Sequence, residues 1–348
     1  MYVRDFRDTT LENRALAGSK GASLGELTRA GFNIPPGFTI TTAAFERFIA
    51  SIDGAGAIRR LITSLDPNEL TALTATTAAV REQIEKAPLP KDVEQAILQA
   101  YALLAKGENI AVTGVSAHSG AAGLAPVAVR SSATSEDSAE ASFGALQDTF
   151  LGVRGAESVI RSVRACWACL YSTASVRYRL RLKLQEQNVS MGVVVQRMVE
   201  SACSGVMLTR SPTTGDRSVI AIEGSWGWGS CRASGEVTPD KFVVSKVTRE
   251  ITQCTVAEKR IQHVPQYDST GVRVEAVPLE RQSVPCLTDE QIVTLAEIGK
   301  QIERHYGTPQ EIEWAAGGGT IYIVQSRPVG DRPLQAHPRP AATEPAVH

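Results

Sequence analysis

A mixed helix-and-strand protein of two or three lobes is the fold class this sequence predicts, and three observations carry that expectation. The chain is 348 residues long, enough to bury more than one core. The stretches 43–104 and 288–306 read as helices, the second with a full set of start and stop signals. Apolar runs at 127–129, 191–199, 205–209 and 219–223, followed by an alternating pair at 310–315 and 320–326, read as strands.

From the N-terminus, Gly18, Ser19 and Gly21 bracket Lys20 in a loop, and Leu24, Leu27 and Ala30 carry a helical stripe that stops at Gly31. Lys20 then stands just before a helix, where free N–H groups and the helix dipole favour an anion, so a phosphate contact suits it. A solvated surface lysine fits the same letters, because no second spaced glycine precedes it as in a Walker loop. Asp66, Pro67 and Glu69 read as an N-cap, a first-turn proline and a capping box, and Pro88 and Pro90 interrupt before an amphipathic run at 93–104. His118 falls in a small-residue loop, 113–125, as an exposed polar group.

Val127 to Val129 form a buried-type strand that delivers Arg130 at its end, followed by Ser131, Ser132 and Thr134. Residues 138–146 are small and acidic around Phe143, a composition expected of a lid, with a surface loop capped by Glu136 and Asp137 as the alternative. A single helix from Ala156 to Leu184 is expected to carry Arg161, Arg164, Arg177, Arg179 and Arg181 on a solvated face. Cys166 and Cys169 lie inside it as packing residues, since no second pair completes a zinc site.

The strand at 191–199 is nearly continuously apolar but holds Gln196 and Met198. Adenine sites are mostly apolar, with backbone groups and an amide reading the base edge, and Gln196 to Val199 offers both. Glu223 ends the strand at 219–223, and Gly224, Gly227 and Gly229 around Trp226 and Trp228 make either a loop facing phosphates or a tight structural turn.

Thr288 and Gln291 form a capping box, Ile292, Leu295, Ile298 and Ile302 a buried stripe, and Gly307 a stop. The helix feeds a hairpin in which Gly317, Gly318 and Gly319 are expected to be a three-residue loop, setting Glu313 opposite Ile323 and Glu311 opposite Gln325. Glu311, Glu313, Gln325 and Arg327 then share one face. Paired carboxylates suit Mg²⁺ and the Arg327 fork suits a phosphate, while a solvated edge hairpin fits the same pattern equally well.

Composition narrows the function classes. A formal net charge of -1 with 5% aromatic residues and no polybasic block argues against a nucleic-acid partner. No apolar run reaches membrane length, and the opening MYVRDFRDTT lacks a signal-peptide pattern, so a cytoplasmic protein without a membrane partner is expected. Six scattered cysteines read as reduced thiols, and the Pro- and Ala-rich segment 329–348 is expected to be a disordered tail.

Five ordered motifs, GSKGASLGEL with IPPGFTIT, VAVRSSATSED with ASFGALQDTF, VVVQRMV with SGVML, EGSWGWGS with EVTPD, and EIEWA with IYIVQSRP, resemble the nucleotide-binding part of the phosphoenolpyruvate synthase and pyruvate phosphate dikinase family, which includes rifampicin phosphotransferase. The resemblance runs from about residue 12 to 328 and implies an ATP-grasp fold, in which two α+β lobes, 1–200 and 201–328, clamp Mg-ATP. It implies that Lys20 and Arg130 bind phosphates, Gln196 to Val199 the adenine, and Glu311, Glu313, Gln325 and Arg327 the Mg²⁺ and terminal phosphates; Glu223, read from its strand end alone, faces phosphates with the loop that follows it. In such enzymes ATP gives a pyrophosphoryl group to a histidine on a swivelling domain. AMP and phosphate leave, and the remaining phosphoryl passes to an acceptor.

The sequence departs from the family pattern at two loops. The lid motif S-F-A-G-Q is replaced by Ser142-Phe143-Gly144-Ala145-Leu146, and G-L-G-E by Gly227-Trp228-Gly229-Ser230. The phosphohistidine motif G-G-x-T-x-H-A occurs nowhere, and none of His118, His263, His305, His337 or His348 has its setting. A separate subunit carrying that histidine and the acceptor site is therefore expected, as in phenylphosphate synthase with phenol as acceptor. A piece of a pyruvate or rifampicin phosphotransferase, a nucleotide-sensing module and an ADP-releasing ATP-grasp ligase are the alternatives.

Overall fold

The described strands form two main antiparallel sheets, joined by one helix, and a separate two-stranded hairpin. The computed structural model describes residues 1–107, 126–134, 148–184, 189–266 and 271–329. The expected lid at 138–146, His118, His337, His348 and all of the expected tail except Val329 lie outside them.

β1 (Val3–Asp5), α1 (Arg14–Arg29) and β2 (Gly37–Ile40) open the chain, followed by α2 (Thr42–Ile52), α3 (Ala57–Thr63), α4 (Leu70–Lys86) and α5 (Lys91–Ala105). β3 (Val127–Ala133), β4 (Thr149–Val153), α6 (Ala156–Cys169), α7 (Thr173–Arg181) and β5 (Met191–Arg197) complete a sheet of order β1-β2-β5-β3-β4. Phe38, Phe45, Phe48 and Trp167 pack between this sheet and its helices, with the Phe48 and Trp167 rings stacked at 5.0 Å.

The second set comprises β6 (Cys203–Leu208), β7 (Val219–Trp226), α8 (Ser230–Ala233), β8 (Asp240–Ser245), β9 (Ile251–Thr255), the hairpin β10 (Ile261–Pro265) and β11 (Val272–Ala276), α9 (Leu279–Gln282), α10 (Asp289–Tyr306), β12 (Gln310–Gly317) and β13 (Thr320–Pro328). Its main sheet runs β13-β12-β6-β7-β8-β9. Met207, Ile222, Phe242, Leu295, Ile302 and Trp314 form the core between one face of that sheet and α10. The expected caps hold: Thr288 makes the capping box of α10 with Gln291, and Gly307 closes the helix at φ 71°.

α1 links the two cores. Leu24 packs with Phe6 and Val194 on the first side, and Leu27 joins the second core. The helix is broken at Gly18 (φ 68°, ψ 174°), where an added Cβ would lie 1.9 Å from the Ser132 carbonyl oxygen. The Ser132 hydroxyl fills the break, accepting from the Gly21 N–H at 3.1 Å and donating to the Ala17 carbonyl at 2.8 Å. Ser19 to Gly21 are thus a first helical turn rather than the expected loop.

Four further expectations are corrected. Asp66 accepts from the Asn68 N–H in a turn, and α4 starts only at Leu70, because the aspartate side chain closes its own turn. Arg130 is the middle residue of a fully buried strand rather than its end. The expected Ala156–Leu184 helix is two, since the Ser172 hydroxyl accepts from the Ser175 N–H and caps a new start; Arg179 is buried, donating to Leu170 O and Ser175 Oγ. β7 runs on through Gly224 to Trp226, because Gly224 lets the Trp314 ring approach to 3.0 Å of where a Cβ would sit.

The hairpin turn has two residues rather than three. Gly317 pairs with Thr320, leaving Gly318 (φ 58°) and Gly319 (φ 78°) in the left-handed region of a tight reversal. Trp314 pairs with Ile323 but Glu313 with Gln325 and Glu311 with Arg327, so Val324 is an unpaired bulge residue. The bulge offsets the shorter turn and keeps Glu311, Glu313, Gln325 and Arg327 on one face.

Candidate functional site

Across the main second sheet, register sets Gln325, Glu313, Val206, Glu223 and Lys241 in one row, and directly paired residues share a face. Arg327 and Glu311 lie two residues along on that face. This polar face lies opposite the α10 core, and part of it meets the first sheet across a cleft of about 330 Å³. Ala128, Arg130, Thr149 and Leu151 line the cleft from β3 and β4, and Val206, Glu313, Ala315 and Val324 from the second sheet. Gln196 to Val199 closes one end, with Ser201, Ser204 and Trp228 to Ser230 beside it.

Arg130, only 6% exposed, ties the walls together. Its Nη1 donates to the Val324 carbonyl at 2.9 Å, and its Nη2 to Glu313 Oε2 at 2.7 Å and to Gln325 Oε1. The bulge at Val324 frees that carbonyl from the hairpin ladder, so one local irregularity supplies both the shared face and an arginine acceptor. Arg130 Nε has no hydrogen-bond partner among the described residues. Beside this cluster Arg327 Nη2 donates to Glu311 Oε1 at 2.8 Å, with the Arg327 side chain 46% exposed.

Of the residues expected from sequence, the cleft wall brings together Arg130, Gln196, Met198, Val199 and Glu313. Gln325 joins through Arg130, while Glu311 and Arg327 continue the same face outside the wall. Glu223 is on that face but further across it, 3.5 Å from Lys241 Nζ. Gln196 is 2% exposed, and its amide donates to the Pro35 carbonyl at 3.4 Å. Lys20 is 9% exposed and is not among the wall residues. Its charge acts on Cys166 and Cys169, lowering both thiols, but burial is the larger cause and pushes Cys169 up to about 11 and Cys166 well above its ordinary value.

Sequence reasoning missed Thr149, Leu151, Ser201, Ser204 and Ala315 in the wall, because alternation marks which strand residues face outward but not what lies opposite. Trp228 was legible only as part of a glycine loop. Its indole N–H donates to the Val199 carbonyl at 3.1 Å, so it braces the strand end expected to read a base. No described helix is long and apolar enough to cross a membrane.

Residues 14–345 match the family described as pyruvate phosphate dikinase, AMP/ATP-binding domain. A probable phosphoenolpyruvate synthase from Methanothermobacter thermautotrophicus is 39% identical over 94% of this chain and 46% of its own length. A rifampicin phosphotransferase from a Streptomyces species is 38% identical over 94% of this chain and 36% of its own. The chain thus spans less than half the length of these relatives. Among solved structures, D-alanyl-alanine synthetase A from Vibrio cholerae aligns with 76% of this chain and 58% of its own at 13% identity and a TM-score of 0.26, too loosely to bear on the site.

Proposed function

Because the chain belongs to the pyruvate phosphate dikinase AMP/ATP-binding domain family, we propose that it clamps Mg-ATP between ATP-grasp lobes 1–200 and 201–328 and transfers a pyrophosphoryl group to a histidine presented from elsewhere. The observation that carries this reading is the Arg130 bridge: a buried guanidinium from one sheet meets a carboxylate and an amide of the other at the edge of a cleft. Phosphoryl transfer needs positive charge where the equatorial oxygens gather charge, and in this reading Arg130 and Arg327 supply it. Lys20 is assigned to the phosphates by its motif, at the first turn of the helix after Gly18, where helix N–H groups favour an anion.

The donor set fits Mg²⁺. Glu311, Glu313 and Gln325 offer only oxygen on one rigid sheet face, and each carboxylate already has a cation beside it that can turn to a phosphate. When bound, the ion supplies positive charge to the terminal phosphates. Gln196 to Val199, braced by Trp228, is assigned to the adenine by its motif and lines a largely apolar slot. The histidine takes the β- and γ-phosphoryl groups as the α–β anhydride bond breaks and AMP leaves; water then cleaves the β–γ bond and carries the γ-phosphoryl away as phosphate, and the β-phosphoryl passes from the histidine to the acceptor oxygen.

A separate histidine-bearing subunit with phenol as acceptor is the first specific reading. Pyruvate is the second reading, favoured by relatives whose names are phosphoenolpyruvate synthase. The test is nucleotide product analysis of the chain with Mg-ATP, with and without a phosphohistidine protein, in the presence of phenol or pyruvate. AMP formed only with that protein is expected, and the acceptor consumed decides between the two readings. Arg327→Ala and Glu313→Ala are expected to abolish transfer while leaving the fold intact. ADP released by the chain alone, or normal turnover in either variant, overturns the proposal.

A further inference from the structure

Sequence scatters Cys231, Glu236 and His263 over more than thirty positions, and the fold gathers them. The loop after β7 enters α8 at Ser230 and Cys231, Glu236 follows it, and β10 delivers His263; one ligand atom of each lies within 4.8 Å of the others. The backbone locks the arrangement, since the Trp228 N–H donates to the His263 carbonyl at 2.8 Å and Gly227 bridges to His263. The chemistry of the three is unlike the oxygen-only face at Glu311 and Glu313. A thiolate, an imidazole and one carboxylate form a borderline-soft set that suits Zn²⁺ and rejects Mg²⁺.

Geometry supports the same assignment. His263 Nε2 and Glu236 Oε2 stand 3.3 Å apart. That is long for an N–H···O bond, whose usual length is about 2.9–3.0 Å. It equals the separation of two ligands held about 2.0 Å from one tetrahedral ion. The other ring nitrogen is already fixed: His263 Nδ1 lies 2.8 Å from Ser230 Oγ, the kind of outer contact that sets the tautomer of a metal-binding histidine and aims Nε2 at the ion. His263 and Cys231 are buried, while Glu236 is open to solvent and gives an ion its way in.

We propose that Cys231, Glu236 and His263 form a Zn²⁺ site separate from the Mg²⁺ face, with Ser230 positioning the imidazole. On binding, the Cys231 thiol loses its proton to solvent as the sulfur–metal bond forms, and the fourth position is left for water. Because Trp228, Gly229 and Ser230 line the cleft, the ion clamps that wall to β10. The substitution of Gly227-Trp228-Gly229-Ser230 for the family's G-L-G-E thereby has a consequence of its own: the residue at the fourth position holds a metal ligand.

The test is titration of the full chain with Co²⁺ as a spectroscopic stand-in. The expected result is one Co²⁺ per chain, with a near-ultraviolet thiolate-to-metal band and the visible bands of a tetrahedral ion. Stoichiometric Zn²⁺ should bleach both, and excess Mg²⁺ should not. Cys231→Ser should lose the near-ultraviolet band, and Ser230→Ala should weaken binding about 10-fold. Glu236→Gln, at an exposed position that carries no packing, should also weaken binding with unchanged circular dichroism. Absence of the thiolate band in the unmodified chain overturns the proposal whatever the variants do, and so does its persistence in Cys231→Ser. Neither outcome depends on ATP turnover.

Discussion

Arg130 on β3 and Glu313 on β12 meet at 2.7 Å, joining the buried middle of one sheet to the acidic face of the other. The same guanidinium holds the carbonyl of the bulge residue Val324, so its removal strands acceptors on both hairpin strands. Arg130→Met is expected to lower phosphoryl transfer by about 100- to 1,000-fold, the scale of losing one charge-stabilising donor. Glu313 is 37% exposed and water can replace part of the contact, so the stability loss is about 1–2 kcal/mol. Steady-state AMP formation and urea unfolding of the same preparation separate the two effects. Arg130→Lys keeps the charge and loses the fork, and should recover stability more than activity.

The polar face was legible in the sequence for a reason that does not depend on register. Two glutamates two positions apart must share a strand face, and Gln325 and Arg327 likewise. What the letters did not show was how the two pairs align, because the three-glycine loop and the two-glycine turn with a bulge place the same residues on the same side. Arg130 was found as a strand residue but placed at the strand's end, since nothing in Ser131-Ser132-Ala133 signals that small polar side chains are buried there against the break at Gly18. The solvated reading of Arg179 failed for a related reason: an arginine whose donors meet Leu170 O and Ser175 Oγ at a helix junction needs no water. Contacts made across distant segments, such as Ser230 with His263, left no local mark at all.

The three hairpin glycines are alike in sequence and unequal in the structure. A Cβ at Gly317 would lie 2.1 Å from the Glu200 carbonyl oxygen, whereas no atom of the described residues lies within 4 Å of one at Gly318 or Gly319. Gly317→Ala is therefore expected to destabilise by about 1–3 kcal/mol, as overpacking against rigid backbone does. Gly318→Asn, at a left-handed position that asparagine tolerates, should be nearly neutral. Equal denaturation midpoints for the two variants would show that the turn is not where the register places it.

Asp240 and Lys259 are both fully buried, 2.6 Å apart, and Asp240 also accepts from the Ala257 and Cys286 N–H groups. The pair pins the start of β8 to the segments before β10 and α10. Asp240→Ala leaves a buried ammonium without its counter-charge and is expected to cost about 3–5 kcal/mol. Replacing both, with Asp240→Leu and Lys259→Met, should recover part of that loss, because the desolvated charge is gone. The readout is the thermal midpoint; an equal loss in the single and double variants would assign the whole effect to the two backbone N–H groups.

Burial, opposed in part by the Asp148 backbone N–H, holds the Cys169 thiol up at about 11 against an ordinary value of 9.0, so the folded protein binds that proton more tightly than the unfolded chain. The sign follows from linkage. The neutral thiol's contribution is fully present below about pH 9 and is lost as pH rises towards 11, where the unfolded chain has already released the proton. Two units correspond to about 2–3 kcal/mol at the alkaline end. Urea unfolding at pH 7.5 and 10.5 should show the wild-type protein losing more stability than Cys169→Ala, which lacks the titrating group; the variant should start lower, for the cavity left in α6, and the gap should close or reverse at the higher pH. Parallel loss in the two proteins would mean that the thiol releases its proton equally in the folded and unfolded states, and would overturn the burial effect at Cys169.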